Sequence, residues 1–377
     1  MNNICKKICT LMVSAYCILA PLESKAEDIS KNDIVLTKAK INQRLNNDTN
    51  SYVLTVIPAN ITLTRYMSLD NWSLVEYDGA LGFVSNDYIE ETGYQAQSNY
   101  KLERCYDIVS VNTGLNYRKE PNTDSEVYSV IKKGERIQTI SKTKDDWYLI
   151  IYDGKLGYIK KEYTTSIKEQ LNDLLKDYEN VDDIRIEKVA YSKKEQPIFD
   201  STGNVITGYI DKYEEVKVIR EIDNKALIFT DDQVGFVNKN GIRELDGLFI
   251  TISINNQRLR IYYGKDNLFT TYVVTGKEST PTPKGYYLTA NKRKNRLLKG
   301  ADYEYEAELW VGLKAPDNAD REEKAAISGV GIHSSDRKEF GETIYIRNGS
   351  HGCINTEKEE MRKIYELVKL NIPTIIY

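Results

Sequence analysis

The sequence predicts a mainly β chain in which tandem small β-barrels precede a larger β-rich domain that ends in a helix. Three observations carry this. First, Trp72…Tyr77-Asp78-Gly79-Ala80-Leu81-Gly82-Phe83…Tyr88 recurs as Trp147…Tyr152-Asp153-Gly154-Lys155-Leu156-Gly157-Tyr158…Tyr163 at a constant offset of 75 positions (Trp72 to Trp147, Tyr88 to Tyr163). Second, short β-branched and aromatic runs flank Asp-Gly steps, which is a hairpin signal. Third, from Gly247 the pattern changes to longer alternation, with Leu248, Ile250, Ile252 and Ile254 interleaving Phe249, Thr251 and Ser253.

The N-terminal segment 1–26 reads as an export signal. Lys6 and Lys7 precede an apolar run from Ile8 to Leu19, and Ser24-Lys25-Ala26 offers small residues for cleavage after Ala26. A secreted or envelope-associated protein is therefore expected. Two repeats follow, over 30–95 and 104–165, and then a linker helix over 166–180. There Ser166-x-x-Glu169 forms a capping box and Ile167, Leu171, Leu174, Leu175 and Tyr178 recur at helical spacing. A third, diverged copy over 184–245 ends at Gln233-Val234-Gly235-Phe236-Val237 and lacks the tryptophan. The last domain spans 246–377.

The repeats resemble bacterial SH3-like domains. The second fits best, with Leu115-Asn116-Tyr117-Arg118-Lys119-Glu120-Pro121 and Ile131-Lys132-Lys133-Gly134. The resemblance implies attachment to cell-wall peptide or glycan, against the alternative of plain spacers.

Composition narrows the chemistry. With 41% hydrophobic and 29% charged residues in 377, the chain is of ordinary globular type, and a formal charge of −4 gives no reason to expect nucleic-acid binding. Cys5, Cys9 and Cys17 fall in the signal, which leaves Cys105 and Cys353 and excludes a disulfide-dense scaffold. With only two histidines and no Cys-x-x-Cys, no metal site is expected, and the chemistry below needs no cofactor.

Both histidines lie in the last domain, at Gly331-Ile332-His333-Ser334-Ser335 and Ser350-His351-Gly352-Cys353-Ile354-Asn355, beside its only cysteine. A free thiol is mostly protonated near neutrality, whereas an imidazole beside it can take the proton and ready the sulfur for a carbonyl. Thr356-x-x-Glu359, followed by Met361, Ile364, Tyr365 and Val368, predicts a helix starting near Glu357. Its dipole would favour thiolate, and backbone amides around Gly352 and Cys353 could hold an oxyanion.

Residues 246–377 resemble the L,D-transpeptidase catalytic domain. Sixteen residues (334–349) separate His333 from Ser350-His351-Gly352-Cys353, and Gln257-Arg258-Leu259-Arg260-Ile261-Tyr262, Val273-Val274-Thr275-Gly276-Lys277 and Thr280-Pro281-Thr282-Pro283-Lys284-Gly285 also look like that family. The resemblance implies Cys353 as nucleophile, His333 as base, the Ser334 carbonyl orienting the imidazole, and His351 with the amides of Gly352 and Cys353 lining an oxyanion pocket. Ser350, Asn355, Tyr303, Tyr305 and Trp310 are the candidate substrate-binding residues, with Asn355 standing where many members have arginine. The charged segment 315–324 is either a lid or a solvated loop.

The implied activity is formation of 3→3 peptidoglycan cross-links. A tetrapeptide stem is the acyl donor, a Cys353 thioester the intermediate, terminal D-alanine the leaving group and a second stem the acceptor. Carbapenems are implied to acylate the same thiol. Attack by water would make an L,D-carboxypeptidase, and loss of activity an inert wall-binding scaffold. A papain-like peptidase is disfavoured because no histidine follows Cys353.

Overall fold

The computed structural model describes residues 30–96, 102–168, 171, 174, 184–300, 304–335 and 349–377. The expected signal 1–26 and Tyr303 lie outside them, as does most of the linker helix 166–180, although its Ile167 and Leu171 are buried. Among the described residues no helix is long and apolar enough to cross a membrane.

The Asp-Gly steps of the first two repeats make the turn their chemistry dictates. Tyr77 pairs with Ala80 and Tyr152 with Lys155 across two-residue loops. The loop residues Asp78 (φ 52), Gly79 (φ 73), Asp153 (φ 48) and Gly154 (φ 68) all take the left-handed backbone that such a turn requires. Three sheets follow one another, each built on seven strands, Ser30–Thr37 to Ile89–Gln95, Ile108–Val111 to Thr164–Ser166, and Lys188–Ser192 to Ile242–Glu244, and in the second an eighth, Leu102–Arg104, pairs with Arg136–Thr143 off the main path. Numbered within each unit, all three have the spatial order 3-2-6-5-4-1-7, with a short 3₁₀ turn before the last strand. The third unit, without its tryptophan, is wound in the same way as the other two.

The C-terminal domain is one eight-stranded sheet. Its strands are β1 (Leu248–Ser253), β2 (Arg258–Tyr263), β3 (Asp266–Tyr272), β4 (Gly285–Lys299), β5 (Glu304–Lys314), β6 (Gly331–Ser334), β7 (Ile354–Thr356) and β8 (Pro373–Ile376). Helix α1 (Arg321–Ala326) lies between β5 and β6, and α2 (Lys358–Leu367) follows β7. The spatial order is β3-β2-β1-β8-β4-β5-β6-β7, so β3 and β7 are opposite edges. Met361 and Ile364 of α2 are fully buried in the domain's main core with Ile332 and Ile354.

The barrels are packed units rather than beads on a string. Leu45, Met67 and Phe83 of the first share an apolar cluster with Trp147, Leu149 and Tyr158 of the second. Phe229 and Phe236 of the third pack with Ile108, Ile167 and Leu171, while Val189, Tyr191 and Leu245 of the third join the C-terminal core.

All three barrels also grip the β2–β3 side of the sheet. Asp266 accepts from the Tyr52 amide at 2.9 Å and from the Ser51 hydroxyl. Asp153 accepts from the Thr270 amide at 2.8 Å, and the Gly154 amide donates to Asn267 at 3.0 Å. Arg260, 3% exposed in its side chain, pairs with Asp231 (3.0 Å), Glu135 (3.4 Å) and Glu215 (3.8 Å). Burial alone would lower its pKa, but Asp231 and Glu215 raise it well above the usual arginine value, so the cluster stays ionised. A bare edge strand invites pairing with other chains, and here the barrels cover it.

Removing one member of a buried charge cluster leaves its partners uncompensated, which typically costs about 3–5 kcal/mol. Arg260→Met is therefore expected to lower the urea midpoint of the whole chain markedly. A midpoint within error of the unsubstituted protein would show that the cluster does not hold the barrels to the sheet.

Candidate active site

Parallel pairing of β6 with β7 assembles the site. Ile332 faces Ile354, His333 faces Asn355 and Ser334 faces Thr356, which sets the histidine beside the segment carrying Cys353. His333 and Cys353 then line one cleft of about 210 Å³ with Tyr305, Ser350, His351 and Asn355, and Leu298 and Ser335 complete its wall.

His333 is 5% exposed. Its Nδ1 lies 2.7 Å from the carbonyl oxygen of Ser334; that oxygen can only accept, so Nδ1 carries the proton and Nε2 keeps its lone pair. The imidazole stacks on Trp310, with ring centroids 5.7 Å apart and planes 20° from parallel, and meets Tyr305 at 5.9 Å. Burial lowers its pKa from 6.5 to about 4, with a further push down from the Arg296 charge against a rise from the Ser334 bond. At neutral pH the imidazole is uncharged.

The Cys353 pKa is raised above its ordinary 9.0, because desolvation outweighs a backbone hydrogen bond from Gly331 and the charge of Arg296. Its sulfur lies 3.8 Å from the Gly329 carbonyl, to which the thiol donates. The resting site is thus a neutral thiol beside a neutral imidazole. The thiolate expected from the helix dipole has no support here, because β7 separates Cys353 from α2. Thr356 does not cap α2 either; its hydroxyl donates to the Tyr272 carbonyl, and the helix starts at Lys358 behind Glu357, which makes no side-chain cap.

The loop before the cysteine is held by the segment that follows β3. Ser350 donates its amide to Thr275 (2.7 Å) and accepts at its carbonyl from the Lys277 amide (2.9 Å) and the Thr280 hydroxyl (3.2 Å). Thr282 donates to the Gly352 carbonyl (2.9 Å), and the Asn355 backbone exchanges two hydrogen bonds with Val274 (2.9 and 2.8 Å). Gly352 sits at φ 108, a conformation that side chains resist. Ser350, 3% exposed, accepts the Gly352 amide at 3.1 Å and donates to the Cys353 carbonyl, so it ties the loop. The Gly352 amide is thereby engaged, in contrast to the oxyanion role expected for it.

The remaining candidates sort by burial. His351 is exposed, with Lys277 Nζ 3.3 Å from its Nε2. Among the described residues, the buried Asn355 Oδ1 and the buried Ser334 hydroxyl have no hydrogen-bond partner. Tyr305 reaches the cleft wall. Trp310, 1% exposed, does not line the cleft and instead supports the back of His333. Segment 315–324 forms the start of α1, capped by Asp320 on the Glu323 amide at 2.8 Å, and none of it lines the cleft.

Sequence reasoning missed Gly331. A Cβ there would stand 2.4 Å from the Trp310 ring, so only glycine lets the indole lie flat against β6. Cys105, the other cysteine outside the expected signal, is free and half-buried, and burial raises its pKa.

Residues 248–376 match the family model described as the L,D-transpeptidase catalytic domain, and residues 113–165 match that of the bacterial SH3 domain. The fold class is accordingly mainly β, with an SH3-like domain ahead of an L,D-transpeptidase catalytic fold that carries a C-terminal helix. No curated protein matches the chain. Among solved structures, the catalytic domain of an E. faecium L,D-transpeptidase, free or acylated by ertapenem, is 29% identical, covering 35% of this chain and 98% of its own with a TM-score of 0.30. An L,D-transpeptidase from Mycobacterium smegmatis is 17% identical over 41% of this chain and 66% of its own, with a TM-score of 0.29. One from Mycobacterium tuberculosis is 17% identical over 43% and 76%, with a TM-score of 0.28.

If stacking buries His333, Gly331→Ala displaces the indole and lets water reach the ring. The His333 pKa, read from its ring-proton NMR shift, is expected to climb from about 4 toward 6.5. A value unchanged by the substitution would show that burial at Trp310 is not what lowers it.

Proposed function

We propose that this chain is an exported L,D-transpeptidase that forms 3→3 cross-links between peptidoglycan stems through a thioester on Cys353. The observation that carries the reading is the placement of Cys353 and a His333 with its Nδ1 tied to the Ser334 carbonyl in one cleft, within the segment that matches the catalytic family.

The donor is a tetrapeptide stem whose third residue presents its carbonyl to Cys353. As sulfur bonds to that carbon, the thiol proton passes to His333 Nε2, because a neutral pair gives up its proton during attack rather than before it. The tetrahedral oxyanion collapses, the bond to D-alanine breaks, and the departing amine takes the proton from His333. The side-chain amine of a second stem then attacks the thioester, His333 accepts its proton, and the thiolate leaves and is reprotonated. Hydrolysis by water in the last step would give the carboxypeptidase outcome. Nothing in this sequence calls on a cofactor.

Export is supported by the basic and apolar segment before Ala26. We infer that the SH3-like units hold the catalytic domain at the wall through glycan or peptide, a role supported by the bacterial SH3 match over 113–165.

Intact-protein mass after mixing the mature chain with a disaccharide-tetrapeptide, or with ertapenem, tests the assignment. The expected result is an adduct that requires Cys353, with D-alanine released and a cross-linked dimer formed. Cys353→Ala is expected to abolish both while melting as the unsubstituted protein does. Product from that variant, or no adduct from a folded protein whose Cys353 still takes an alkylating agent, would overturn the reading.

A further inference from the structure

Two cations flank the cleft, and neither forms an ion pair among the described residues. Arg296 of β4 is half-buried and holds its guanidinium 4.0 Å from the ring centre of Trp310, the same indole that stacks on His333. It stands two residues before Leu298, on the same face of the strand, and Leu298 lines the cleft. On the other side, Lys277 rises from the segment that holds the nucleophile loop and brings its Nζ to 3.3 Å from His351 Nε2. An ammonium can only donate, so Nε2 accepts, and the lysine keeps two further N–H donors for a ligand.

No acidic residue lines the cleft among the described residues. Two cations without an ion pair among the described residues, over a low-dielectric pocket, favour anions arriving there, and interactions of this kind fade as salt screens them. Arg296 also has a measurable consequence at the reacting groups, since its charge lowers the pKa of both His333 and Cys353.

We propose that Arg296 and Lys277 are specificity-determining residues that select acyl donors bearing a free carboxylate beside the scissile amide over donors in which that group is amidated. The inference rests on Cys353 as the acyl-accepting nucleophile. A carboxylate next to the scissile bond would be drawn by a planar, bidentate donor on the β4 side and a mobile point charge on the other.

Its test separates the charge of the cleft from the proposed reaction. Iodoacetate and iodoacetamide alkylate the same sulfur and differ chiefly in charge. Their rates at Cys353, followed by peptide mass with Cys105 as internal control, give a ratio that needs no peptide turnover. In the unsubstituted protein the ratio is expected to exceed that of N-acetylcysteine. In Lys277→Gln/Arg296→Gln it should fall roughly tenfold at low ionic strength and recover in Lys277→Arg/Arg296→Lys, with the difference shrinking in roughly 1 M salt. With tetrapeptide donors, the Gln pair is expected to raise KM for the free carboxylate several-fold more than for the amidated donor, while any change that Arg296 makes at the reacting groups falls on both donors alike.

An unsubstituted ratio no higher than that of N-acetylcysteine, or equal slowing with both reagents, would overturn the proposal and leave Arg296 as a support for Trp310. If the ratio shifts as expected but no donor is turned over, the transpeptidase reading fails while the anion preference stands.

Discussion

The parallel pairing of β6 with β7 is the constraint on which the active site depends. Two strands that run in the same direction cannot be joined by a tight turn and need a crossover of a dozen or more residues. This is the physical reason why His333 and Cys353, twenty positions apart in sequence, become neighbours on one sheet edge. The pair also forces Ile354 and Ile332 into the core beneath, while Gly352, bent at φ 108, turns the chain so that Cys353 opens to the cleft. Bonds of Thr275 and Thr280 with Ser350, of Thr282 with Gly352 and of Val274 with Asn355 fix the course of the chain on both sides of Cys353.

Desolvation then decides the protonation states. Burial against Trp310 strips His333 of the water that an imidazolium would need, and burial raises the thiol in the same cleft. Both effects favour neutral groups, so His333 keeps the free Nε2 lone pair that the proposed base role needs. The β2–β3 side of the sheet follows the opposite logic. There Arg260 and Glu215 are just as buried and Asp231 partly so, but each compensates the others and the charges persist. The domain thus has a charged anchor at its β3 edge and a neutral reactive pair at its β7 edge.

Much of this was legible in the sequence wherever local chemistry dictates geometry. The Asp-Gly turns announce themselves because few residues tolerate the left-handed backbone, and the histidines and cysteine stand out because the chain has so few. The third unit keeps the strand order without its tryptophan because alternation, not that side chain, sets the winding; Trp147 serves the contact between the first two barrels. What stayed hidden depends on partners distant in sequence. Thr356 looks like a helix cap until β6 claims it for the sheet, and Trp310 looks like a cleft residue until Gly331 gives it a flat seat. The charges of Arg296 and Lys277 acquire meaning only when hairpin and loop face each other across the cleft.

The central claim is that the resting site holds a neutral thiol and a neutral imidazole. The direct measurement is the ultraviolet thiolate absorbance of the protein, taken as a difference against Cys353→Ala and followed as pH rises. The account predicts no thiolate near neutral pH and its appearance only above the ordinary thiol value of 9.0. A full thiolate band at about pH 7 would reveal a preformed thiolate–imidazolium pair and contradict it.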